Sequence, residues 1–277
     1  MKIIECPRDA MQGLSKFIPT AKKIDYINQL LKVGFDTIDF GSFVSSKAIP
    51  QLKDTSDVLN GLDLTNTSSK LLAITANQRG AEDACNFPSI NCLGFPLSVS
   101  EHFQQRNTNK SITEALAEAT AIQNLCFKHN KELVVYLSMA FGNPYREAYH
   151  ADIVAELTEK LYNIEVSIIA LSDTIGVSTP QNIQSLFSTL ISAYPTIEFG
   201  AHFHTKPDSW EEKVAAAYQN GCKRFDGALN GYGGCPMAKD ELVGNMPTEN
   251  LITYFKDELE LNMQEFKNSL LFSAEIF

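Results

Sequence analysis

The sequence predicts an α/β fold, a (β/α)8 TIM barrel with a C-terminal helical extension. Three observations favour it: eight short β-rich runs recur along the 277 residues, helical patterns lie between them, and polar residues follow several of the runs. In such a barrel the carboxyl ends of all strands surround one mouth, where active sites lie. Because chains of this length often fold as one barrel domain, we predict a single domain over residues 1–277, with the barrel core at about 1–247.

The predicted strands are short runs rich in β-branched, aliphatic and aromatic side chains. They lie at residues 2–6, 37–40, 71–75, 91–95, 133–137, 167–171, 196–203 and 224–229. The alternative for alternating strands and helices is an open doubly wound sheet. Dinucleotide-binding sheets of that kind carry a glycine-rich loop after the first strand, and no such loop follows residues 2–6. The barrel is therefore the favoured topology.

Helix signals fall between the predicted strands. An apolar stripe at helical spacing occupies residues 24–31 and ends at Gly34, a residue typical of helix ends. Residues 111–114, Ser-Ile-Thr-Glu, have the spacing of a capping box, and residues 179–180, Thr-Pro, are typical of a helix start. Because parallel strands need long crossover connections, these signals predict the helices that join them.

Composition excludes several classes of protein. The net charge of -10 at pH 7, without long charged blocks, argues against a nucleic-acid surface. No apolar stretch reaches the roughly 20 residues needed to span a membrane, and no signal-peptide pattern is present. Six cysteines are scattered, without a Cys-x-x-Cys pair, at positions 6, 85, 92, 126, 222 and 235. We therefore expect a cytoplasmic protein with reduced thiols and no nucleic-acid or membrane partner.

His202 and His204 form the most informative pair in the chain. In a strand, residues two apart point to the same face, so both imidazoles would enter the barrel mouth together. Asp9, which follows the first predicted strand, offers a carboxylate at the same mouth. This ligand set suits a divalent cation, with Mg²⁺, Mn²⁺ and Zn²⁺ all compatible. The alternative is a pair of ordinary hydrogen-bonded histidines in a barrel.

Four further polar residues follow predicted strands. Arg8 suits the stabilisation of an enolate or carboxylate through its planar fork, or else a structural ion pair. Asp173 suits the orientation of a ligand histidine, or else the capping of the next loop. Gln12 and Ser42 are candidate substrate-binding residues at the same mouth, with support of their own loops as the alternative.

Two candidates come after the eighth predicted strand. Cys235 belongs to the glycine-rich residues 230–236, a stretch suited to cover a barrel mouth. Its thiol suits proton transfer, and an incidental accessible cysteine is the alternative. Asn245 follows Gly244 and offers an amide oxygen to a metal, although Gly-Asn is also an ordinary turn pair.

Five segments together resemble the 3-hydroxy-3-methylglutaryl-CoA lyase family, within the DRE-TIM metallolyase superfamily. They read Pro-Arg-Asp-Ala-Met-Gln at 7–12, Ser-Phe-Val-Ser-Ser-Lys at 42–47, Asp-Thr-Ile-Gly-Val at 173–177, His-Phe-His at 202–204 and Gly-Gly-Cys-Pro at 233–236. The segments appear in the family's order and span nearly the whole barrel. The Arg-Asp and His-x-His elements are shared by the superfamily, whereas the segments at 42–47 and 233–236 favour the lyase.

The resemblance implies a reaction and a role for each matching residue. The implied metal ligands are Asp9, His202, His204 and Asn245, the implied catalytic residues are Arg8 and Cys235, and Asp173 supports the site. The implied reaction is the retro-Claisen cleavage of 3-hydroxy-3-methylglutaryl-CoA to acetoacetate and acetyl-CoA, with Mg²⁺ or Mn²⁺ as the favoured metal. An acyl-CoA substrate, a homodimer and a place in leucine degradation are also implied.

The chain departs from the family's pattern at several positions. Thr205 and Lys206 stand where the family usually has Asp-Thr, and Lys213 stands where it often has asparagine. The spacing from Cys235 to Asn245 is one residue longer than usual, and residues 4–7 read Ile-Glu-Cys-Pro instead of Glu-Val-Gly-Pro. Two alternatives therefore stay open: a related aldolase or Claisen-type synthase, and a barrel that binds a metabolite without turnover.

Overall fold

Eight parallel strands close into one barrel in the computed structural model, which describes residues 1–234 and 243–277. The strands are β1 (Lys2–Glu5), β2 (Thr37–Ser42), β3 (Lys70–Ile74), β4 (Cys92–Ser98), β5 (Glu132–Ser138), β6 (Ile168–Asp173), β7 (Glu198–Phe203) and β8 (Arg224–Gly227). Pairing of β1 with β8, from Lys2 opposite Arg224 to Glu5 opposite Gly227, closes the ring. The predicted barrel is confirmed, and each of the eight predicted runs coincides with a strand.

Helices connect successive strands and cover the outside of the barrel. They are α1 (Pro7–Gln12), α2 (Thr20–Leu31), α3 (Thr55–Asn60), α4 (Gln78–Cys85), α5 (Glu101–Thr108), α6 (Ile112–His129), α7 (Ala151–Asn163), α8 (Pro180–Ala193), α9 (Trp210–Gln219), α10 (Thr248–Tyr254) and α11 (Met263–Ile276). The predicted capping box of Ser111 and Glu114 begins α6. Thr179 caps α8 in the same way, with Asn182 as its partner. Both predicted helix starts are therefore confirmed.

Successive side chains along each strand point alternately to two separate apolar layers. On β5, Leu133 and Val135 pack in the core beneath the helices, whereas Val134 and Tyr136 belong to a second cluster in the barrel interior. Ser138, two residues further on, lines a cavity at the carboxyl end of the strand. Because side chains alternate across a strand, the interior changes from apolar residues to polar ones towards the mouth.

The last helix, α11, packs against α2 and confirms the predicted C-terminal helical extension. Tyr26 of α2 stacks on Phe272 of α11, with ring centroids 6.1 Å apart. Gln29 Nε2 donates a hydrogen bond of 2.7 Å to Glu265 Oε2. Among the helices described by the structure, none combines the length and apolar character that a membrane crossing requires.

Candidate active site

The helix after β1 carries Arg8, Asp9 and Gln12 to the barrel mouth. Pro7 suits the first turn of α1 because its missing N–H would have no partner there. Arg8 and Gln12 are four residues apart and share a helix face, and Arg8 Nη1 donates to Gln12 Oε1 at 3.1 Å. The same Nη1 lies 3.0 Å from Asp9 Oδ1. All three predicted site residues line one cavity.

Asp39, on β2, holds the other edge of the Arg8 guanidinium. Arg8 Nε lies 2.9 Å and Nη2 lies 2.5 Å from Asp39 Oδ2. This two-point contact fixes the plane of the guanidinium. Burial raises the pKa of the Asp39 carboxyl to about 6, although Arg8 acts in the opposite direction. The position of Asp39 near the end of a predicted strand indicates a side chain that faces the mouth or holds the loop, but no sequence signal pairs it with Arg8.

His202 and His204 enter the mouth from the end of β7, with ring centroids 5.5 Å apart. Nδ1 of His202 lies 3.1 Å from Asp226 Oδ2 on β8, and Nδ1 of His204 lies 2.8 Å from the carbonyl oxygen of Thr174. Because a carbonyl only accepts, Nδ1 of His204 carries the proton and Nε2 keeps its lone pair. That Nε2 is buried and has no hydrogen-bond partner in the part of the chain that the structure describes.

Asp9, His202 and His204 come together as one candidate metal-ligand group. One ligand atom from each residue lies within 4.8 Å of the others. Burial opposes ionisation of Asp9, but Arg8 and the two histidines outweigh it and lower the pKa of the carboxyl. Burial, and then the neighbouring His202, lowers the pKa of His204. An ionised carboxylate and a neutral imidazole with a free Nε2 are the forms that bind a divalent metal, so the residues present fit such an ion.

Asn245 lies beside this group. Its backbone forms an antiparallel bridge with His204, and its Nδ2 donates to the carbonyl of Tyr232 at 2.9 Å. Its side chain also helps to lower the pKa of Asp9 through a hydrogen bond. Gly233, at φ +95°, passes so close that a Cβ there would lie 2.7 Å from Asn245 Nδ2. Glycine is needed at this position because of both its backbone angle and this close approach.

Two other predicted site residues, Ser42 and Asp173, are described by the structure and are not part of this group. Ser42 Oγ donates to the carbonyl of Ile74 at 3.2 Å, which joins β2 to β3, and Ser42 does not line the cavity. Asp173 does not line it either, and its Oδ2 lies 2.8 Å from Lys213 Nζ on α9. Cys235 lies outside the described residues.

Asp226 is a site residue that the sequence interpretation missed. Its carboxylate contacts the His202 imidazole, the kind of contact that the sequence analysis assigned to Asp173. Burial favours neutral His202, but the hydrogen bond and charge of Asp226 outweigh it and raise the pKa of His202. The sequence contained one signal for Asp226. It lies two residues after Arg224 on a predicted strand, so both polar side chains point to the same face of the barrel wall.

A cavity of about 830 Å³ opens from the metal-ligand group towards the surface. Tyr136 lines its inner part, with a buried hydroxyl that has no hydrogen-bond partner among residues 1–234 and 243–277. Leu14 and Phe17, in the loop after α1, form an apolar part of the wall, and Arg106 of α5 adds positive charge. The cavity is therefore suited to a long ligand with apolar and anionic portions.

Comparison with known proteins decides the family. The model of the HMGL-like family matches residues 2–268. The chain belongs to the HMGL-like family. The hydroxymethylglutaryl-CoA lyase YngG of Bacillus subtilis is 34% identical over 269 residues, which cover 97% of this chain and 89% of that protein. The cytoplasmic 3-hydroxy-3-methylglutaryl-CoA lyase of Rattus norvegicus is 31% identical, with 95% of this chain and 76% of that protein covered.

Solved structures show the same relationship. The HMG-CoA lyase of Bacillus subtilis superposes with a TM-score of 0.92 at 32% identity, covering 99% of this HMGL-like chain and 92% of its own. An HMG-CoA lyase from Acinetobacter baumannii, solved in complex with coenzyme A and 3-methylmalate, has a TM-score of 0.89 at 30% identity, with 98% and 88% covered. The resemblance indicated by the five sequence segments is confirmed.

Proposed function

We propose that the protein is a metal-dependent carbon–carbon lyase that cleaves 3-hydroxy-3-methylglutaryl-CoA to acetoacetate and acetyl-CoA. The observation that carries this proposal is the grouping of Asp9, His202 and His204 beside Arg8 at one cavity. The similarity to lyases over almost the whole chain supports it. Bound coenzyme A in the Acinetobacter baumannii relative supports an acyl-CoA as the substrate class.

The metal would be held by Asp9, His202 and His204, with Asn245 beside them. Oxygen and imidazole ligands of this kind suit Mg²⁺ or Mn²⁺, with Zn²⁺ also compatible. When bound, such an ion acts as a Lewis acid that polarises the substrate's hydroxyl and carboxylate oxygens. The surrounding residues prepare the ligands for this role, because Asp226 orients His202 and the Thr174 carbonyl fixes the tautomer of His204.

Arg8 would stabilise the enolate that forms when the carbon–carbon bond breaks. A guanidinium has five N–H donors. Within the described chain, Nε and one Nη2 hydrogen serve Asp39, and the two Nη1 hydrogens serve Asp9 and Gln12. One Nη2 hydrogen remains for the substrate. Asp39 holds the guanidinium in place, so this donor is already oriented before negative charge develops on the enolate oxygen. Electrostatic stabilisation of a transition state requires such preorganised donors.

The proposed cleavage balances protons and electrons without another reactant. The tertiary hydroxyl gives its proton to a base, the bond between the hydroxyl-bearing carbon and the methylene of the thioester breaks, and the electron pair of that bond forms the enolate of acetyl-CoA. Protonation of that enolate at carbon completes acetyl-CoA, and the former hydroxyl carbon becomes the ketone of acetoacetate. The family resemblance assigns this last proton transfer to Cys235.

We also propose that the protein forms a homodimer, as the family resemblance implies. Light scattering of the purified protein would measure its molar mass directly. A molar mass of one chain at micromolar concentration would contradict it.

The first experiment is a cleavage assay on metal-stripped protein. We expect no formation of acetoacetate or acetyl-CoA from 3-hydroxy-3-methylglutaryl-CoA without metal, and restored formation after addition of Mg²⁺ or Mn²⁺. A matched sample given Mg²⁺ together with excess EDTA should stay inactive. Absence of cleavage by folded, metal-loaded protein would refute the substrate assignment, and longer acyl-CoA esters and keto acids would be tested next.

A further inference from the structure

Lys213, on α9, is a buried lysine directly behind the candidate metal ligand His204. Its side chain is 3% exposed, and its Nζ lies 2.8 Å from the Oδ2 of Asp173, whose side chain is 1% exposed. Taking an ammonium and a carboxylate out of water is costly unless good geometry and further hydrogen bonds compensate. Lys213 therefore needs other partners close by.

Those partners are two backbone carbonyls. Lys213 Nζ lies 3.2 Å from the oxygen of Gly176 and 3.3 Å from the oxygen of His204. Together with Asp173 they account for the three N–H donors of the ammonium. Asp173 ends β6 and Gly176 belongs to the turn that follows it, whereas His204 follows the end of β7. Lys213 therefore ties this turn to the backbone of a candidate metal ligand.

The imidazole of His204 rests on the same turn. Its Nδ1 donates to the carbonyl of Thr174 at 2.8 Å. The turn is itself closed by Asp173, which accepts hydrogen bonds from the backbone N–H of Val177 at 2.8 Å and of Ser178 at 3.0 Å. The backbone N–H of His204 donates to the carbonyl of Asp173 at 3.3 Å. Both the backbone and the ring of His204 are therefore held by residues 173–178, and Lys213 joins these parts.

We propose that Lys213 is a positioning residue for the metal site, which keeps Nε2 of His204 aimed at Asp9 and His202. This inference rests on the metal site of the proposed function. It adds that a side chain from an outer helix determines the affinity of that site for the metal ion. A residue with a merely structural role would alter the stability of the fold and leave metal affinity unchanged. The two roles are therefore separable by experiment.

The test is Mn²⁺ binding to metal-stripped protein in the absence of substrate, measured by isothermal titration calorimetry. Lys213→Met keeps much of the side-chain length and removes the three hydrogen bonds. We expect its Mn²⁺ dissociation constant to rise about 10- to 100-fold, the usual effect of losing a residue that orients a metal ligand. Lys213→Arg, which keeps the charge and its donors, should lie closer to the wild type. Coenzyme A binding should not change in either variant.

The chain offers a matched control in a second buried lysine–aspartate pair. Lys23 Nζ lies 2.7 Å from Asp54 Oδ1, with side chains 2% and 7% exposed, and it also donates to the backbone carbonyl of Gln51. Lys23→Met should lower the urea midpoint of unfolding, as Lys213→Met does, but leave the Mn²⁺ dissociation constant at the wild-type value.

Each outcome bears on the inference. If Lys213→Met does not fold, the double variant Asp173→Asn with Lys213→Met removes both charges and should show the same weakening. Wild-type Mn²⁺ affinity in folded Lys213→Met or in the double variant would overturn the positioning role while leaving the lyase proposal intact. Equal weakening in Lys23→Met would also overturn it. Failure of the wild type itself to bind Mn²⁺ would refute the metal site, and the inference with it.

Discussion

Arg8 shows how one side chain depends on partners from separate elements. Asp39 of β2 holds one edge of its guanidinium, and Asp9 and Gln12 of α1 hold another. A lysine carries the same charge, but its ammonium lacks the planar fork of donors with which a guanidinium contacts several partners at once. The role proposed for Arg8 therefore depends on shape as well as on charge.

Arg8→Lys should lower kcat for 3-hydroxy-3-methylglutaryl-CoA by about 10²- to 10³-fold, the typical effect of losing one donor to a developing oxyanion. KM should change much less, because the lost interaction acts on the charge of the transition state. Steady-state kinetics on the Mg²⁺-loaded enzyme would measure both constants.

The control for that substitution is Arg79→Lys, at an exposed position on α4, which should keep the wild-type kcat. A kcat for Arg8→Lys within about threefold of the wild-type value would show that the reaction does not use the planar donor geometry of Arg8.

At the scale of elements, the loop after α1 is fastened to the loop after β2. Gln51 Oε1 accepts from the backbone N–H of Ile18 at 2.9 Å, and Gln51 Nε2 donates to the carbonyl of Lys16 at 2.8 Å. Leu14 and Phe17 of the fastened loop line the cavity. One buried amide thus shapes a wall of the predicted substrate site.

Gln51→Ala should raise KM severalfold and leave kcat nearly unchanged, because the wall loosens while the metal-ligand group is untouched. The free energy of unfolding should fall by about 1–3 kcal/mol, since buried backbone groups lose their partner. Kinetics and urea unfolding would measure the two effects.

Asn28→Ala is the matched control, because Asn28 fastens another loop through Gly61 and Asp63 away from the cavity. It should change stability without changing KM. An unaltered KM in Gln51→Ala would argue against a role for this wall in substrate binding.

At the scale of the whole molecule, Glu5 joins the first and last parts of the barrel. It is fully buried on β1. Its Oε1 accepts from the backbone N–H of Leu229 at 3.0 Å, and its Oε2 accepts from Thr248 Oγ1 at 2.5 Å. Burial raises the pKa of this carboxyl to about 8, although both hydrogen bonds act in the opposite direction.

This pKa predicts that the barrel loses stability as pH rises. Between the unfolded value of 4.5 and about 8, the folded state binds more protons than the unfolded state, so the free energy of unfolding falls with increasing pH. The contribution is fully present below the unfolded pKa and is lost as pH passes the folded pKa. Its size is on the order of a few kcal/mol.

Glu5→Gln removes the titrating group, so its free energy of unfolding should fall less between pH 5 and pH 8 than that of the wild type. Urea unfolding at several pH values would measure the difference. Glu265→Gln is the control, because that partly buried carboxyl has a pKa lowered by its hydrogen bond from Gln29 and stays ionised throughout this range. Parallel pH curves for the wild type and Glu5→Gln would contradict the assignment.

Local sequence pattern determined the fold class and the centre of the site. Eight β-rich runs separated by helix signals predicted the barrel because strand and helix periods depend on neighbouring residues. The spacing of His202 and His204 predicted a shared face, and the position of Asp9 after the first strand predicted its place at the mouth. These features need no knowledge of contacts between distant segments.

Only the tertiary structure decided how the site is supported. Arg8 with Asp39, His202 with Asp226, and Lys213 with Asp173 join residues 31, 24 and 40 positions apart. Asp173 accordingly turns towards α9, while Asp226 takes the contact with a candidate ligand histidine. Such pairs depend on the stagger of neighbouring strands and the rotation of each helix on the barrel. Those are properties of the closed, packed molecule, so the residues of one segment cannot specify them.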